Sequence, residues 1–397
     1  MGGRAEGRLL DLTRLVSRSG RVLTGVDRVE LAYAEHLSRG ADPAWGLVRT
    51  AYGFLLLDGS GVAAIAGASR SGDWGRPDLL SRLKPRLGRK RQAGQSFARA
   101  RAIGRSRASG LAGMLARALP EGVAYLNLGH SNFDARVFRA VKAIPAARIA
   151  CMIHDTIPLD FPEFQRDGSV AEFAAKLRLA GEMADVILTP SEASAASIRQ
   201  HLGDPAPDIL AAHLGVAPPP EGAADVPPPF AERPYFVALG TIEPRKNHAL
   251  LLDIWEEMAG DGPGLAIVGR RGWKNAEVFR RLDAGVPGVR ELGALNDAEV
   301  SALLKASSGL VFPSLAEGFG LPPVEAAMLG VPVLASDLPV LREMLGTSAV
   351  YLEATDRYQW KKTIQAMAAN PEQATRATGQ FVPPTWEAHF KTTLSVT

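Results

Sequence analysis

The stretch that most limits what this chain can fold into is Gly309-Leu-Val-Phe-Pro-Ser-Leu-Ala-Glu-Gly-Phe-Gly-Leu-Pro-Pro-Val-Glu325. Gly309 to Phe312 is a short apolar run, which reads as a strand covered on both faces. Pro322 and Pro323 fit the first turn of a helix, where a missing N–H costs nothing. That helix runs through Ala326 to Leu329 and stops at Gly330, the residue type that most readily turns left-handed past a helix end. A second apolar run, Val331 to Ala335, follows at once. Strand, loop, helix and strand in this order predict a parallel sheet with its loop at the carboxyl edge. Gly318 and Gly320 let backbone approach a ligand, and the open helix amides with the dipole's positive end favour an anion, above all a phosphate.

Two carboxylates bracket the loop. Glu317 reads as a loop residue and Glu325 as a residue of the first helical turn. Each alone is explained by a solvated charge or a helix-start acid. Together, with the glycines and prolines between them, they suit a site where carboxylates accept hydrogen bonds from the hydroxyls of a sugar or ribose.

The chain has 397 residues, too many for one ordinary core, so two domains are expected. Repeated strand–helix units in both halves predict two doubly wound α/β domains: residues 1–216, a Pro-, Ala- and Gly-rich linker over 217–234, a second domain over 235–380 and a closing helical segment over 381–397. The single cysteine, Cys151, excludes an intramolecular disulfide, and no run approaches a membrane span or a signal peptide. A cytoplasmic protein is expected, with peripheral attachment at the inner face of the membrane as a further expectation. That addition comes from charge. Of 45 basic residues, 11 lie between Arg82 and Arg117, where no acidic residue occurs, while the remainder carries 34 basic against 42 acidic residues. The segment reads as one or two basic amphipathic helices or a mobile loop. It suits an anionic membrane surface or an anionic, lipid-linked acceptor, and equally a solvated face. Phe97 is its one aromatic residue, so nucleic acid is not expected as a partner.

In the first half, Arg8 to Thr13 opens as a strand, a glycine-bearing loop follows, and Val26 to Leu37 is an amphipathic helix. This layout can hold a phosphate or be an ordinary connection. Two further strands end at Gly129-His130-Ser131-Asn132 and at His154-Asp155-Thr156, which places both histidines at the ligand-binding edge of an open sheet. Ser191 reads as the cap of the helix from Glu192 to Leu202. In the second half, Glu243-Pro-Arg-Lys-Asn247 follows the strand Tyr235 to Thr241, and Arg245 with Lys246 suits a pyrophosphate. Two solvated surface charges would account for the same pair. Arg270-Arg-Gly-Trp273 follows the next strand and is expected near a nucleotide base.

Glu317-Gly-Phe-Gly-Leu-Pro-Pro-Val-Glu325 resembles the E-x7-E signature of the retaining glycosyltransferases of the GT-B fold, the large group-4 set (glycosyl transferases group 1). Gly240-Thr-Ile-Glu-Pro-Arg-Lys-Asn247 resembles that family's donor-phosphate loop, His154-Asp-Thr-Ile-Pro-Leu-Asp-Phe-Pro-Glu163 its His-Asp block, and Thr24-Gly-Val-Asp-Arg28 its first loop. The resemblance is strong from Tyr235 to Ala354, fair in the first half and absent over the basic segment.

It implies two Rossmann-like domains facing across a cleft, with the last helix returning to the first domain. Catalytic roles fall to His154, Glu317, Arg245 and Lys246. The donor is implied to lie against Gly25, Arg28, Phe319, Gly320, Leu321 and Glu325, with Arg21 a further candidate, and the acceptor near Asp155; His130, at the neighbouring strand end, is added as a candidate for the acceptor. The implied substrates are a nucleoside-diphosphate sugar and a cell-surface glycan or lipid-linked acceptor, with no cofactor and no metal. A nucleotide-sugar epimerase, a phosphorylase or a non-catalytic glycan- or membrane-binding relative would share the architecture.

Overall fold

The computed structural model describes residues 5–83, 85–217, 230, 233–370 and 381–397. Most of the expected linker, Lys84 and residues 371–380 lie outside the described residues.

The first lobe is built on strands β1 (Arg8–Asp11), β2 (Ala44–Thr50), β3 (Gly53–Leu57), β4 (Ala102–Ser106), β5 (Ala124–Asn127), β6 (Arg148–Met152), β7 (Val186–Thr189) and β8 (Asp208–Ala211). They form one sheet in the order β4-β3-β2-β1-β5-β6-β7-β8, parallel except where β3 runs antiparallel to β2 and β4. The second lobe is built on β9 (Tyr235–Leu239), β10 (Gly264–Val268), β11 (Val289–Gly293), β12 (Gly309–Phe312), β13 (Val333–Ser336) and β14 (Val350–Leu352), all parallel, in the order β11-β10-β9-β12-β13-β14.

Successive strand residues point to opposite faces, and here the two faces feed different cores. Tyr235 and Val237 pack with Leu310, Phe312, Val333 and Ala335, whereas Phe236 and Ala238 pack with Val311 and Leu334 on the other face. In the first lobe Leu10, Leu126 and Ala150 lie on one face, and Leu9, Tyr125, Ile149 and Cys151 on the other. Both sheets are therefore covered twice, which is why these strands read as continuous apolar runs rather than alternating ones.

In each sheet the strand order reverses beside the first strand. β9 lies between β10 and β12, and β1 between β2 and β5. Loops leaving the carboxyl ends of the strands diverge at such a reversal and leave a crevice between them. In the second lobe those loops carry Arg245 and Lys246 after β9 and Glu317 after β12. In the first lobe they carry Arg14 after β1 and His130 after β5, with His154 after the adjacent β6.

The helices that matter for the site are α1 (Thr13–Ser17), α2 (Gly25–Arg39), α3 (Gly59–Ser71), α4 (Leu79–Arg82), α5 (Arg89–Ala100), α6 (Leu111–Ala118), α7 (Ala135–Lys142), α8 (Ile157–Asp160), α9 (Ser169–Met183), α10 (Glu192–Leu202), α11 (His248–Met258), α12 (Ala276–Ala284), α13 (Asp297–Lys305), α14 (Leu321–Met328), α15 (Pro339–Leu345) and α16 (Arg357–Ala369). The C-terminal helix, Trp386–Thr393, packs back onto α2 of the first lobe: Phe390 stacks on His36 with ring centroids 3.9 Å apart. Arg8 donates to the carbonyls of Leu394 (2.9 Å) and Thr397 (3.1 Å).

Three expectations change. The basic segment is folded into the first lobe, and its stretch Ala-Ile-Gly-Arg-Ser is the edge strand β4, paired with β3. It carries one large apolar side chain and a glycine, so propensity gives no strand signal; cross-strand pairing supplies the order. Arg99 of this segment is buried and paired with Asp78. Strand β8 was likewise not foreseen between Leu202 and Ala217. Glu325 lies in the second turn of α14, because the helix begins at Leu321 and the first turn holds no acid.

The C-terminal helix makes two predictions. The Tyr33 hydroxyl lies 2.8 Å from His389 Nε2 and 2.9 Å from Thr393 Oγ1, and His389 Nδ1 donates to the His213 carbonyl at 3.0 Å. Burial holds the His389 pKa down, to about 4, so the ring is neutral, and Nε2 shares with Thr393 Oγ1 the single proton of the Tyr33 hydroxyl. Tyr33→Phe strands that nitrogen and should cost about 1–3 kcal/mol in a urea titration; an unchanged midpoint would count against the pairing. Burial also pulls His248 down to about 4. Both groups bind fewer protons folded than unfolded, so their contribution is present above the ordinary histidine value and is lost as pH falls from about 6.5 toward 4. Melting temperature should decline over that window, less so in His389→Gln.

Candidate active site

The centre of the site is an ion cluster at the reversal of the second sheet. Pro244 starts a single 3-10 turn after β9, which brings Arg245 and Lys246 side by side over the loop that follows β12. Lys246 Nζ bonds Glu317, and Arg245 lies 3.0 Å from the same carboxylate and 2.7 Å from Glu243. Arg245 also donates to the Ala316 carbonyl at 2.9 Å, and the Leu315 amide donates to the Arg245 carbonyl at 2.7 Å, so the two loops are stitched together. Lys246 and Glu317 are buried, and Lys246 Nζ sits 4.3 Å above the Phe312 ring.

Burial alone would raise the Glu317 carboxyl, but Lys246 and Arg245 outweigh it and hold the pKa down, at about 2. Burial pulls Lys246 below the ordinary lysine value against the opposing pull of Glu317. Two cations thus face two carboxylates, so the cradle expected from Arg245 and Lys246 is charge-balanced as it stands. Glu243, which completes that balance, was not singled out in the sequence, although it adjoins the pair.

Glu317 leads into α14. Gly320 has φ 86°, and a Cβ there would stand 2.5 Å from Leu341 Cδ2, so this position needs glycine twice over. The amides of Gly318, Phe319, Gly320 and Leu321 donate to nothing among the described residues. Phe319 points into the core. Its backbone, not its ring, is what the loop offers.

The first lobe supplies the facing wall. A Cβ on Gly318 would lie 2.7 Å from the His154 carbonyl oxygen and 2.9 Å from Asp155 Cβ, so the two lobes touch at this glycine. Ser191 and Ser194, at the start of α10, donate to the Gly318 carbonyl at 3.0 and 3.2 Å. Ser191 therefore both caps α10, accepting from Ser194 N, and reaches across the cleft. His154 Nε2 donates to the Leu128 carbonyl (2.8 Å) and His130 Nε2 to the Met152 carbonyl (2.7 Å), with the two rings 5.7 Å apart. Burial is the main force pushing His154 down to about 4 and His130 to about 3. Each ring is neutral, and with Nε2 committed as a donor, Nδ1 remains an acceptor. Burial raises the Asp155 carboxyl, with Arg245 opposing. His130 and Asn132 both hold positive φ, 56° and 54°, a strained backbone that costs about 1–3 kcal/mol per residue and clusters at functional sites.

A second group of expected residues gathers on the hinge side. Arg28 reaches from α2 to Glu325 (3.1 Å) and to Asp297 (2.6 Å), bridging the lobes. Gly25 sits under Leu321, and these residues form one rim of a cavity of about 720 Å³ whose other walls are α2, residues 214–217 and the C-terminal helix. Burial raises the Glu325 carboxyl, and Arg28 is what opposes it. Arg21 is exposed and belongs to neither group. Trp273, expected near a base, donates instead to the Phe164 carbonyl of the first lobe at 2.8 Å, with Arg166 stacked 4.3 Å from its ring.

Two contributors escaped the sequence. Arg14 donates to Asp27 (2.6 Å) and lies against Gly129, between α2 and the His130 loop. Glu343 of α15 accepts from the amides of Glu192 (2.7 Å) and Ala193 (3.1 Å), so a carboxylate of one lobe caps a helix of the other. Neither lies in a motif.

Residues 224–379 match the family model described as glycosyl transferases group 1. The chain is 30% identical over 251 residues to the serotype-specific mannosyltransferase WbdA of Escherichia coli, covering 57% of this chain and 31% of that protein. It is 29% identical over 221 residues to the O-antigen chain mannosyltransferase B of Escherichia coli, covering 53% and 58%. The chain thus spans only about a third of WbdA and little over half of the second relative. Among solved structures, Anabaena Alr3699/HepE in complex with UDP-glucose is similar with a TM-score of 0.61 at 16% identity, covering 94% of this chain and 92% of that one. Sucrose-phosphate synthase from Thermosynechococcus elongatus is similar with a TM-score of 0.59 at 16% identity, covering 96% of each. The second lobe, with its Glu317-to-Glu325 loop and the Arg-Lys loop bonded to it, thus carries the match to the group 1 glycosyltransferase model, and the two lobes together share the fold of these solved structures.

Proposed function

We propose that this chain moves a sugar from a nucleoside-diphosphate sugar to a cell-surface glycan or a lipid-linked acceptor, with retention of anomeric configuration and without a metal. The observation that carries the reading is the buried union of Arg245, Lys246 and Glu317 beside the unbonded amides that open α14, facing His154 and Asp155. In the transfer, the bond from the anomeric carbon to the donor's phosphate oxygen breaks and its electron pair leaves with the diphosphate. The acceptor oxygen forms the new bond and passes its proton to the departing phosphate oxygen. Negative charge grows on the departing oxygen, and Arg245, Lys246 and the α14 amides are fixed donors for it. The departing diphosphate gains a further charge as that bond breaks, so it competes with the two carboxylates for these cations. Glu317 is then left to accept from sugar hydroxyls, with the neutral His154 as a second acceptor. Glu325, reached through Arg28, takes the ribose hydroxyls, and the acceptor approaches past His130 and Asp155. The mannosyl- and O-antigen transferases among the relatives support this substrate class.

The nucleoside diphosphate that fits should raise the melting temperature, because a ligand that binds only the folded state stabilises it by mass action. Glu317→Gln and Lys246→Met should each lower transfer about 100-fold or more, the scale of losing a fixed charge partner at a reacting centre. Lys246→Met should also destabilise by up to about 3 kcal/mol, since it leaves a buried carboxylate short of a partner, and the double variant should recover stability without recovering transfer. NMR of the product linkage reads the anomer. Near-normal transfer in either variant, or an inverted linkage, would sink the proposal.

We further propose peripheral attachment to an anionic membrane. Among the described residues no helix is long and apolar enough to cross a membrane. Helix α4 presents Leu79 (79% exposed) and Leu83 beside it (71%), with Arg82, Arg86 and Arg89 exposed close by in the chain. Apolar side chains that dip into an interface and cations that meet acidic lipid are the two components of such binding. Because β4 is part of the sheet, point variants test this better than a deletion. Co-sedimentation with phosphatidylglycerol vesicles should weaken with salt and in Leu79→Ser/Leu83→Ser; binding indifferent to both would remove the idea.

A further inference from the structure

A second cavity, of about 490 Å³, opens at the carboxyl edge of the first sheet and is lined by Thr13, Arg49, Arg91, Gln95, Ser131 and Asn132 among others. It adjoins the site, since Ser131 and Asn132 follow His130 directly, yet it shares no residue with the Arg245–Lys246–Glu317 cluster or the hinge cavity. Its wall carries two guanidinium groups and no carboxylate. The Arg91 side chain makes no hydrogen bond or ion pair among the described residues, and Arg49 has one long contact, 3.6 Å to Asp134 Oδ2, while Asp134 Oδ1 accepts from the amides of Arg136 and Val137.

The neutral part of the wall is fixed by bonds that leave the Gln95 amide nitrogen as a donor and the Asn132 carbonyl oxygen without a partner. Gln95 is buried and accepts from the Ala51 amide at 3.3 Å with its carbonyl oxygen, which leaves its nitrogen to donate. Asn132 is held by bonds to Asp11 (2.9 Å) and Thr13 (2.8 Å), and Ser131 is anchored through its carbonyl by Asn127 at 2.7 Å. Thr13 in turn accepts from the Arg49 amide at 2.9 Å, so the base of Arg49 is tied to the same network. The carboxylate of Asp11 lies behind Asn132 and is fully engaged by Asn132, Tyr125 and the Thr13 amide. Two guanidinium forks, one without a side-chain partner and one with a single long contact, beside the Gln95 amide nitrogen fit the oxygens of a phosphoryl group better than a neutral sugar.

We propose that this cavity binds a phosphoryl group carried by the acceptor. The proposal rests on the transferase reading above and adds to it the acceptor's charge. Arg91 comes from the basic segment and Arg49 from the end of β2, so the segment serves the acceptor site as well as the outer surface. The phosphoryl group can belong to a soluble sugar phosphate or to a lipid headgroup.

The test uses the full chain with its donor site filled by whichever nucleoside diphosphate raises the melting temperature. Binding of mannose 1-phosphate is measured by calorimetry against methyl mannoside, and binding of phosphatidylcholine vesicles with and without phosphatidic acid by co-sedimentation. The charged ligand in at least one arm should bind at least tenfold more tightly than its neutral counterpart, and Arg49→Gln/Arg91→Gln should abolish that preference with melting temperature and nucleotide affinity unchanged. Preference for the sugar phosphate alone identifies a soluble acceptor; preference for phosphatidic acid alone identifies a lipid headgroup. Equal binding of charged and neutral ligands, or a preference that survives in the double variant, overturns the proposal. If no nucleotide binds, the transferase reading fails, and the same comparison without nucleotide still decides the fate of the cavity.

Discussion

The contact between Glu317 and the Arg245–Lys246 pair organises the second lobe's working edge. A buried carboxylate without partners would take up a proton, and a buried lysine would lose one. Held together, with Glu243 on the far side of Arg245, they stay ionised in a place where water is scarce. The same contact fixes the loop after β9 to the loop after β12, so the geometry of the crevice and its charge have one cause. Such an arrangement adds little to net stability, because desolvation consumes most of the attraction. What it provides is a set of charges already in place before a ligand arrives.

The lobes meet through contacts that all converge on ligand-facing elements. Gly318 touches the His154–Asp155 backbone, Ser191 and Ser194 bond the Gly318 carbonyl, Arg28 reaches Glu325, and Glu343 caps α10 from the opposite lobe. Each of these groups bonds the other lobe. A ligand that takes Glu325 or Lys246 must replace an existing bond, so binding and lobe contact draw on the same side chains. The neutral histidines on the first lobe fit this economy of charge: an imidazolium there would add a cation near Arg14 at the cost of desolvation.

The site motifs were legible because each depends on local chain chemistry. Pro322, Pro323 and Gly330 bound α14 through their own backbone restrictions, and β12 shows its burial through unbroken apolarity. Ser191 and Asn296 act as helix caps as their residue types suggest. Strand β4 was hidden because its order comes from pairing with β3, which no property of Ala-Ile-Gly-Arg-Ser announces. Arg14 and Glu343 were hidden for the same reason: their partners lie 115 and 151 residues away. The helix start of α14 differed by enough to move Glu325 from the first turn to the second, which changes what stabilises its charge from the dipole to Arg28.

Sequence alone determined that this chain folds as two α/β lobes and that glycine, proline, glutamate and an Arg-Lys pair stand at strand ends, since strand burial, helix starts and left-handed turns follow from residues near in the chain. Tertiary structure decided which of those charges meet, that the Arg-Lys pair is balanced by two carboxylates, that the basic segment is woven into the first sheet, and that Arg49 and Arg91 share a cavity beside His130. Those outcomes depend on packing between distant segments, and desolvation and pairing at such contacts are properties of the assembled molecule.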